Sequence, residues 1–408
     1  MKCRHCQTPL EHVFLDLGFA PPSNAYLNKE QMQAPELYFP LKLFVCHQCW
    51  LVQTLDFTRA DELFSADYAY FSSVSSSWLN HAKLYAEMIM KRLDLDQNSL
   101  VIEVASNDGY LLRNFVAAGI PCLGIEPTAS TARAAREIGV PVLEEFFGEV
   151  LGQRLAKEGR QADLIAGNNV FAHVPDINDF TRGLKAALKP GGTITLEFPH
   201  LMQLIAYNQF DTVYHEHFSY LSLHTVERIF SSAGLRVCDV EELPTHGGSL
   251  RVYGCHENDA RADAASVAAL LAQEEAAGLH DLALYDTFQA RANKVKDDFL
   301  SFLIAEKAAG RMVVAYGAAA KGNTLINYAG VKPDLLPYVY DAAASKQWKF
   351  MPGSHIPILP PSMITKLRPD SIVVLPWNIA TEVKTQMAHT KEWGARFFTA
   401  VPEMMELP

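Results

Sequence analysis

The chain has 408 residues, 49% of them apolar, which is enough to fill more than one hydrophobic core and long enough that two or three domains are expected. Thirty-five basic against 46 acidic residues give a formal charge of −11, and no run of Lys and Arg is dense enough to make a face for nucleic acid. No stretch approaches the roughly 20 apolar residues that span a bilayer, and the N-terminus shows no apolar leader, so a cytoplasmic protein without a membrane partner is expected.

The first predicted feature is a metal site. Of seven cysteines, four form two C-x2-C pairs, Cys3-Arg-His-Cys6 and Cys46-His-Gln-Cys49. Two such knuckles can place four thiolates at the corners of a tetrahedron, the closed geometry of structural zinc, whereas disulfides are disfavoured in a reducing compartment. Four unrelated free thiols are the plainer alternative. His5, His12 and His47 lie nearby, but four sulfurs already complete the shell. With no position left for water, zinc here is a staple for a domain spanning 1–70 and not a catalyst. Cys122, Cys238 and Cys255 sit in apolar runs and read as small core residues.

From about residue 95 short apolar runs alternate with helical segments, the pattern of a parallel sheet flanked by helices, and this second domain is expected over 71–258. A strand at 100–104 leads through the turn Ala105-Ser106-Asn107-Asp108-Gly109 into a helix near 110–118. Such a turn lies at the carboxyl edge of the sheet, where α/β folds bind ligands. The next strand, 122–125, ends in Glu126, an acid placed to accept the hydroxyls of a ribose. An adenosine-containing cofactor therefore suits this edge, although no G-x-G-x-x-G follows the strand. Further strands are expected at 162–166, leading to Asn168, Asn169 and His173, at 193–198, from 235, and at 250–253. Helices are expected near 176–188 and 225–234.

Between these strands, Phe210 to Tyr220 gathers Tyr214, His215, Glu216, His217 and Tyr220 in one short loop. A histidine near neutrality is a suitable general base, and a tyrosine or second histidine could hold an enolate oxygen. A packed aromatic loop or a zinc site is the bland reading; H-E-H lacks the spacing of H-E-x-x-H, so a zincin is excluded.

The remaining residues, 259–408, read as connector helices, one of them long and amphipathic over 280–309, followed by a second α/β unit. Its strand 312–316 runs into Gly317-Ala-Ala-Ala-Lys-Gly322 and a helix from Asn323. Small residues before a helix start favour a phosphate and Lys321 adds charge, although a helix start that binds nothing is equally consistent. Strands at 338–341 and 371–375 and a helix near 381–394 complete the unit.

Taken together, the paired knuckles, Tyr68 to Trp78, Glu103 to Gly109, Gly167 to His173, Tyr214 to His217, His246 to Arg251 and Tyr316 to Gly322 resemble the sugar 3-C-methyltransferases of deoxysugar pathways, the tetronitrose type among them. The resemblance runs nearly end to end. It implies an N-terminal zinc-binding domain, a central class I (Rossmann-like) S-adenosylmethionine methyltransferase domain and a C-terminal Rossmann-like α/β domain. It also implies C3 methylation of a nucleotide-diphosphate 4-keto sugar, dTDP-linked; a monomer is expected, with oligomeric state open.

Carried over residue by residue, His217 is the base, Tyr214 meets the C4 oxygen, and Glu216, His173 and Tyr68 support them. Glu103, Ala105, Ser106, Asn107, Gly109, Glu126, Asn168 and Asn169 fall to the cofactor. Tyr68, His173, Tyr214, His246, Ala319, Lys321, Asn323 and Asp341 fall to the substrate, with Asn378 a weaker choice. Two other classes compete: a nicotinamide-dependent nucleotide-sugar oxidoreductase using the C-terminal unit, and a non-catalytic zinc-knuckle binding module.

Overall fold

The computed structural model describes residues 1–55 and 71–408, so Tyr68 lies outside the described residues. The N-terminal strands are β1 (His12–Ala20), β2 (Phe39–Val45) and β3 (Val52–Thr54). The central ones are β4 (Val101–Val104), β5 (Cys122–Ile125), β6 (Val142–Leu143), β7 (Ala162–Asn168), β8 (Leu188–Pro199), β9 (Ser219–Tyr220), β10 (Leu235–Leu243) and β11 (Ser249–His256). β12 (Val313–Tyr316), β13 (Val339–Tyr340), β14 (Ile358–Leu359), β15 (Ser371–Val374), β16 (Arg396–Thr399) and β17 (Met405–Glu406) close the chain.

They assemble into three sheets. The central one has the order β10-β11-β8-β7-β4-β5-β6. Its strands run parallel except β11, which is antiparallel to both β8 and β10. This is the class I methyltransferase order with its closing antiparallel hairpin. β4 starts the domain because Val101-Ile-Glu-Val104 is buried on both faces, as a parallel strand under two helical layers must be. The C-terminal sheet, β14-β13-β12-β15-β16-β17, is parallel apart from β17, a Rossmann-like arrangement.

The third sheet carries a surprise: its order is β1-β2-β3-β9, so a strand of the central domain completes the N-terminal sheet. Val52 pairs with Tyr220 and Gln53 with Ser219.

The helix expected over 280–309 is two helices, Leu282–Asp286 and Phe288–Ala308. Thr287 separates them because its hydroxyl bonds back to the Leu284 carbonyl at 2.8 Å, and such local bonding competes with the helical ladder. The longer helix buries Phe288, Ala292, Val295, Phe299 and Leu303 in one stripe, packed with Phe14, Leu15 and Leu17 of β1 and with Val313 and Ala315 of β12. It thus joins the first domain to the third. Burying each large apolar side chain contributes about 1.5–3 kcal/mol, so this seam is a strong one. The helix expected from Asn323 starts at Ala320, alanine being the best helix former, which puts Lys321 and Gly322 in its first turn. Among the described residues no helix is long and apolar enough to cross a membrane.

Candidate active site

The four predicted metal ligands converge. Sγ atoms of Cys3, Cys6, Cys46 and Cys49 all lie within 4.8 Å of one another, with Cys3–Cys49 and Cys6–Cys46 at 3.5 Å. Zn–S bonds of about 2.3 Å would set tetrahedral sulfurs about 3.8 Å apart, so the donor set fits zinc. Each knuckle turns the same way: Gln7 and Trp50, the residue after the second cysteine of each pair, adopt φ of +64° and +62° and donate their N–H to the Cys3 and Cys46 carbonyls. Gln53 adds an outer donor, its Nε2 lying 3.2 Å from Cys3 Sγ.

At the carboxyl edge of the central sheet the turn after β4 is left-handed at three residues: Ala105 at φ +57°, Asn107 at +49° and Gly109 at +78°. Backbone held in that region by non-glycine residues is strain of the kind found where a ligand is clamped. The Glu126 carboxylate supports the turn, accepting from the N–H of Asn107 at 3.0 Å and of Thr128 at 2.9 Å. A carboxylate has lone pairs beyond these two bonds, which leaves capacity for ribose hydroxyls. Asn107 Oδ1 and Asp108 Oδ2 accept from the N–H groups of Ser72 and Ser73, holding that segment over the turn. Asn168, at the end of β7, is buried with both amide atoms unpartnered among the described residues. Asn169 beside it is again left-handed, at φ +54°.

Two further residues expected at the cofactor are fully enclosed by protein. Glu103 and Ser106 have no exposed surface. Glu103 lies beneath the turn, and burial pushes its carboxyl well above the usual range. Ser106 packs on Gly124 of β5, where a Cβ would come within 2.4 Å of its Oγ.

The loop from Phe210 to Tyr220 turns at 215–216, where His217 N–H bonds the Tyr214 carbonyl, and gathers rings around His217. Rings of Tyr214 and His173 sit 4.0 and 4.6 Å from the His217 ring, between centroids, and Tyr220 5.8 Å away. His217 Nδ1 lies 3.0 Å from the Thr212 carbonyl, which can only accept, so the proton is on Nδ1 and Nε2 carries the lone pair. Burial, His173 and Lys321 hold its imidazole well below the usual histidine range, and burial pushes His173 down to about 4. Both rings are therefore neutral at neutral pH.

His246 joins them from the loop between β10 and β11. Its Nε2 lies 3.0 Å from Asn169 Nδ2, its backbone is left-handed at φ +54°, and it is pushed down to about 4, chiefly by burial. Behind it stands a stack in which only Trp78 belongs to a motif: Trp78 is 5.3 Å from His246 and 4.9 Å from His81, and His81 bonds Glu197 at 2.8 Å.

The C-terminal unit reaches this cleft through Lys321, whose charge lowers both His217 and His246. Its Nζ bonds Asn378 Oδ1 at 2.8 Å and lies 4.5 Å over the Trp377 ring. The Trp377 indole donates to Asp211 Oδ2 at 2.8 Å, tying the unit to the catalytic loop, and burial raises Asp211 to about 6. No side chain caps the helix that starts at Ala320, so its first amides remain for an anion. Ala319 is its N-cap. Asn323 has no exposed surface, and both its amide atoms are unpartnered among the described residues. Asp341 is occupied structurally, accepting from the N–H of Ala318 and of Ala343, each at 2.7 Å.

Known proteins align with each of these parts. "Putative zinc binding domain" matches residues 3–64, "Methyltransferase domain" 78–240 and "C-methyltransferase C-terminal domain" 244–402. C-methyltransferase NovU of Streptomyces niveus is 33% identical over 402 residues, covering 98% of this chain and 96% of that protein. Ubiquinone biosynthesis O-methyltransferase of Methylobacterium nodulans is 31% identical over 104 residues, 24% of this chain and 40% of that one. Among solved structures, the PH0226 protein of Pyrococcus horikoshii superposes with a TM-score of 0.37 at 14% identity, over 46% of this chain and 95% of its own.

Proposed function

Because the chain belongs to the C-methyltransferase family, we propose that it methylates C3 of a nucleotide-linked 4-keto-deoxysugar, the nucleotide being dTDP. Membership gives the coarser part: an S-adenosylmethionine-dependent C-methyltransferase with a zinc-binding N-terminal domain.

The observation that carries the reading is the His217 tautomer. Its Nε2 lone pair belongs to a neutral, buried imidazole, packed between Tyr214 and His173. A ketone at C4 acidifies the neighbouring C3 hydrogen. His217 Nε2 takes that proton, and the electron pair of the broken C–H bond passes into an enolate with its charge on the C4 oxygen. Tyr214, stacked on His217, supplies a hydroxyl for that oxygen, and the surrounding burial strengthens such a bond. Bound S-adenosylmethionine supplies the methyl group that C3 takes up. Lys321 and the first amides of helix Ala320–Tyr328 hold the diphosphate. Neither a nucleophilic cysteine nor a catalytic metal is needed, in keeping with a four-sulfur site that has no open position.

Deuterium exchange at C3 tests the reading directly. Wild-type protein incubated in heavy water with the dTDP-linked 4-keto sugar should exchange the C3 hydrogen, and His217→Asn should not. Exchange at the wild-type rate in the variant would place the base elsewhere.

A further inference from the structure

The residues that set the catalytic loop come largely from another domain. Asn24, in the loop after β1, places Nδ2 2.8 Å from Oε1 and 2.8 Å from Oε2 of Glu216. An ionised carboxylate only accepts, so the amide nitrogen must face it, and the contact is charge-assisted at both oxygens. Glu216 is only 3% exposed, so water contributes little to its solvation. Its own backbone carbonyl bonds the His173 ring, and that ring packs edge-on to His217 at 4.6 Å. Two residues away from Asn24, Tyr26 donates its hydroxyl to the Ala318 carbonyl at 2.5 Å, in the turn that precedes the Lys321 helix.

We propose that Asn24 is a positioning residue for methyl transfer, holding the Glu216 carboxylate and, through the Glu216 backbone, the rings of His173 and His217. The proposal rests on the reading of His217 as the base. Asn24 Oδ1 accepts from the Tyr26 hydroxyl at 3.4 Å, and the proposed action runs through the Nδ2 contact with Glu216. Losing it should therefore lower kcat and leave the KM of the sugar and the affinity for S-adenosylmethionine nearly unchanged. Hydrogen bonds to a buried charge are worth enough to make the fall about tenfold to a hundredfold.

A double-mutant cycle on the full-length, zinc-loaded protein decides the matter, with Asn24→Leu, Glu216→Gln and the double variant compared by kcat, KM and C3–deuterium exchange. Calorimetric titration with S-adenosylmethionine reports whether each variant is folded, and Asn24→Ser, which keeps one donor, replaces Asn24→Leu if that one is not. Asn24→Leu should slow exchange and turnover together, Asn24→Ser should recover part of the loss, and the double variant should be no slower than Glu216→Gln. Effects that multiply in the double variant, or a change confined to KM, would overturn the role given to Asn24. A wild-type protein that does not exchange the C3 hydrogen would instead overturn the base assignment, so the two failures are distinguishable.

Discussion

Two turns occupy the same place in two similar sheets and differ in charge. After β4 the turn Ala105 to Gly109 carries Asp108 and rests on Glu126, while after β12 the turn Gly317 to Ala319, braced by Asp341, leads to Lys321 and an uncapped helix. Topology makes both edges ligand sites, since strand-to-helix crossovers leave a crevice at the carboxyl ends of parallel strands. Under the proposed function, charge divides the labour between them. The acidic edge suits a cationic sulfonium with ribose hydroxyls and the basic edge suits a diphosphate, and Tyr214, His173 and His217 stand between them.

That division makes each edge separately breakable. The largest effect is expected from Lys321→Glu, which removes a cation and adds an anion at the start of helix Ala320–Tyr328. The sugar KM should rise by about a hundredfold, with the donor Kd changed less than twofold, as measured by steady-state kinetics and calorimetry. A comparable loss on the donor side would mean that the edges are not independent.

Gly124→Ala should do the reverse. Its Cβ would press on Ser106 Oγ and displace the turn, costing about 1–3 kcal/mol of stability and weakening the donor by roughly tenfold while sparing the sugar. Thermal melts and donor titration together check this.

Glu126→Gln is milder. One acceptor for the Asn107 or Thr128 N–H survives, and donor affinity should fall by several-fold, again without moving the sugar KM.

The smallest effect sharpens the contact between the edges. Lys321 helps keep His217 neutral, so Lys321→Met should raise the His217 pKa and move the acid limb of kcat to higher pH by less than one unit. The sign for stability is related. His173 and His246 have folded values near 4 against about 6.5 unfolded. Their neutral burial is fully compatible with the fold above pH 6.5, and stability is lost as pH falls from there toward 4. A Tm that rose on acidification through that window would contradict their burial as neutral rings.

Much of this was readable before any coordinates, for identifiable reasons. Paired cysteines predicted the metal site because the knuckle spacing is local, and each C-x2-C turn is completed by its own backbone. Alternating apolar runs predicted the α/β layering and the resemblance supplied the strand order, while the rings of Tyr214, His217 and His173 lie together. What stayed hidden depends on contacts between distant segments. Asn24 lies 192 positions from Glu216, and nothing in its neighbourhood marks it as more than a loop residue. Trp377 and Asp211 are separated by 166 positions, and the Glu197–His81–Trp78 stack has no local signature. The depth of Glu103 and Ser106 was hidden too, because a motif says which residues build a turn but not how far each is buried. The break at Thr287 escaped because amphipathic spacing continues across it while only a side-chain bond interrupts the helix.

The pairing of β9 with β3 also limits portability. A catalytic loop whose exit strand belongs to the sheet of the preceding domain cannot be transplanted with the methyltransferase domain alone. Thr54 deepens the dependence, donating its N–H to the Phe218 carbonyl at 3.1 Å and its hydroxyl to the His217 carbonyl at 3.2 Å. A chimera assembled from relatives would keep its register only if residues 52–54 and the loop through Tyr220 came from the same parent. Recombination between members of this family should therefore succeed at crossover points that leave those two segments together, and fail at the boundary between the first and second domains.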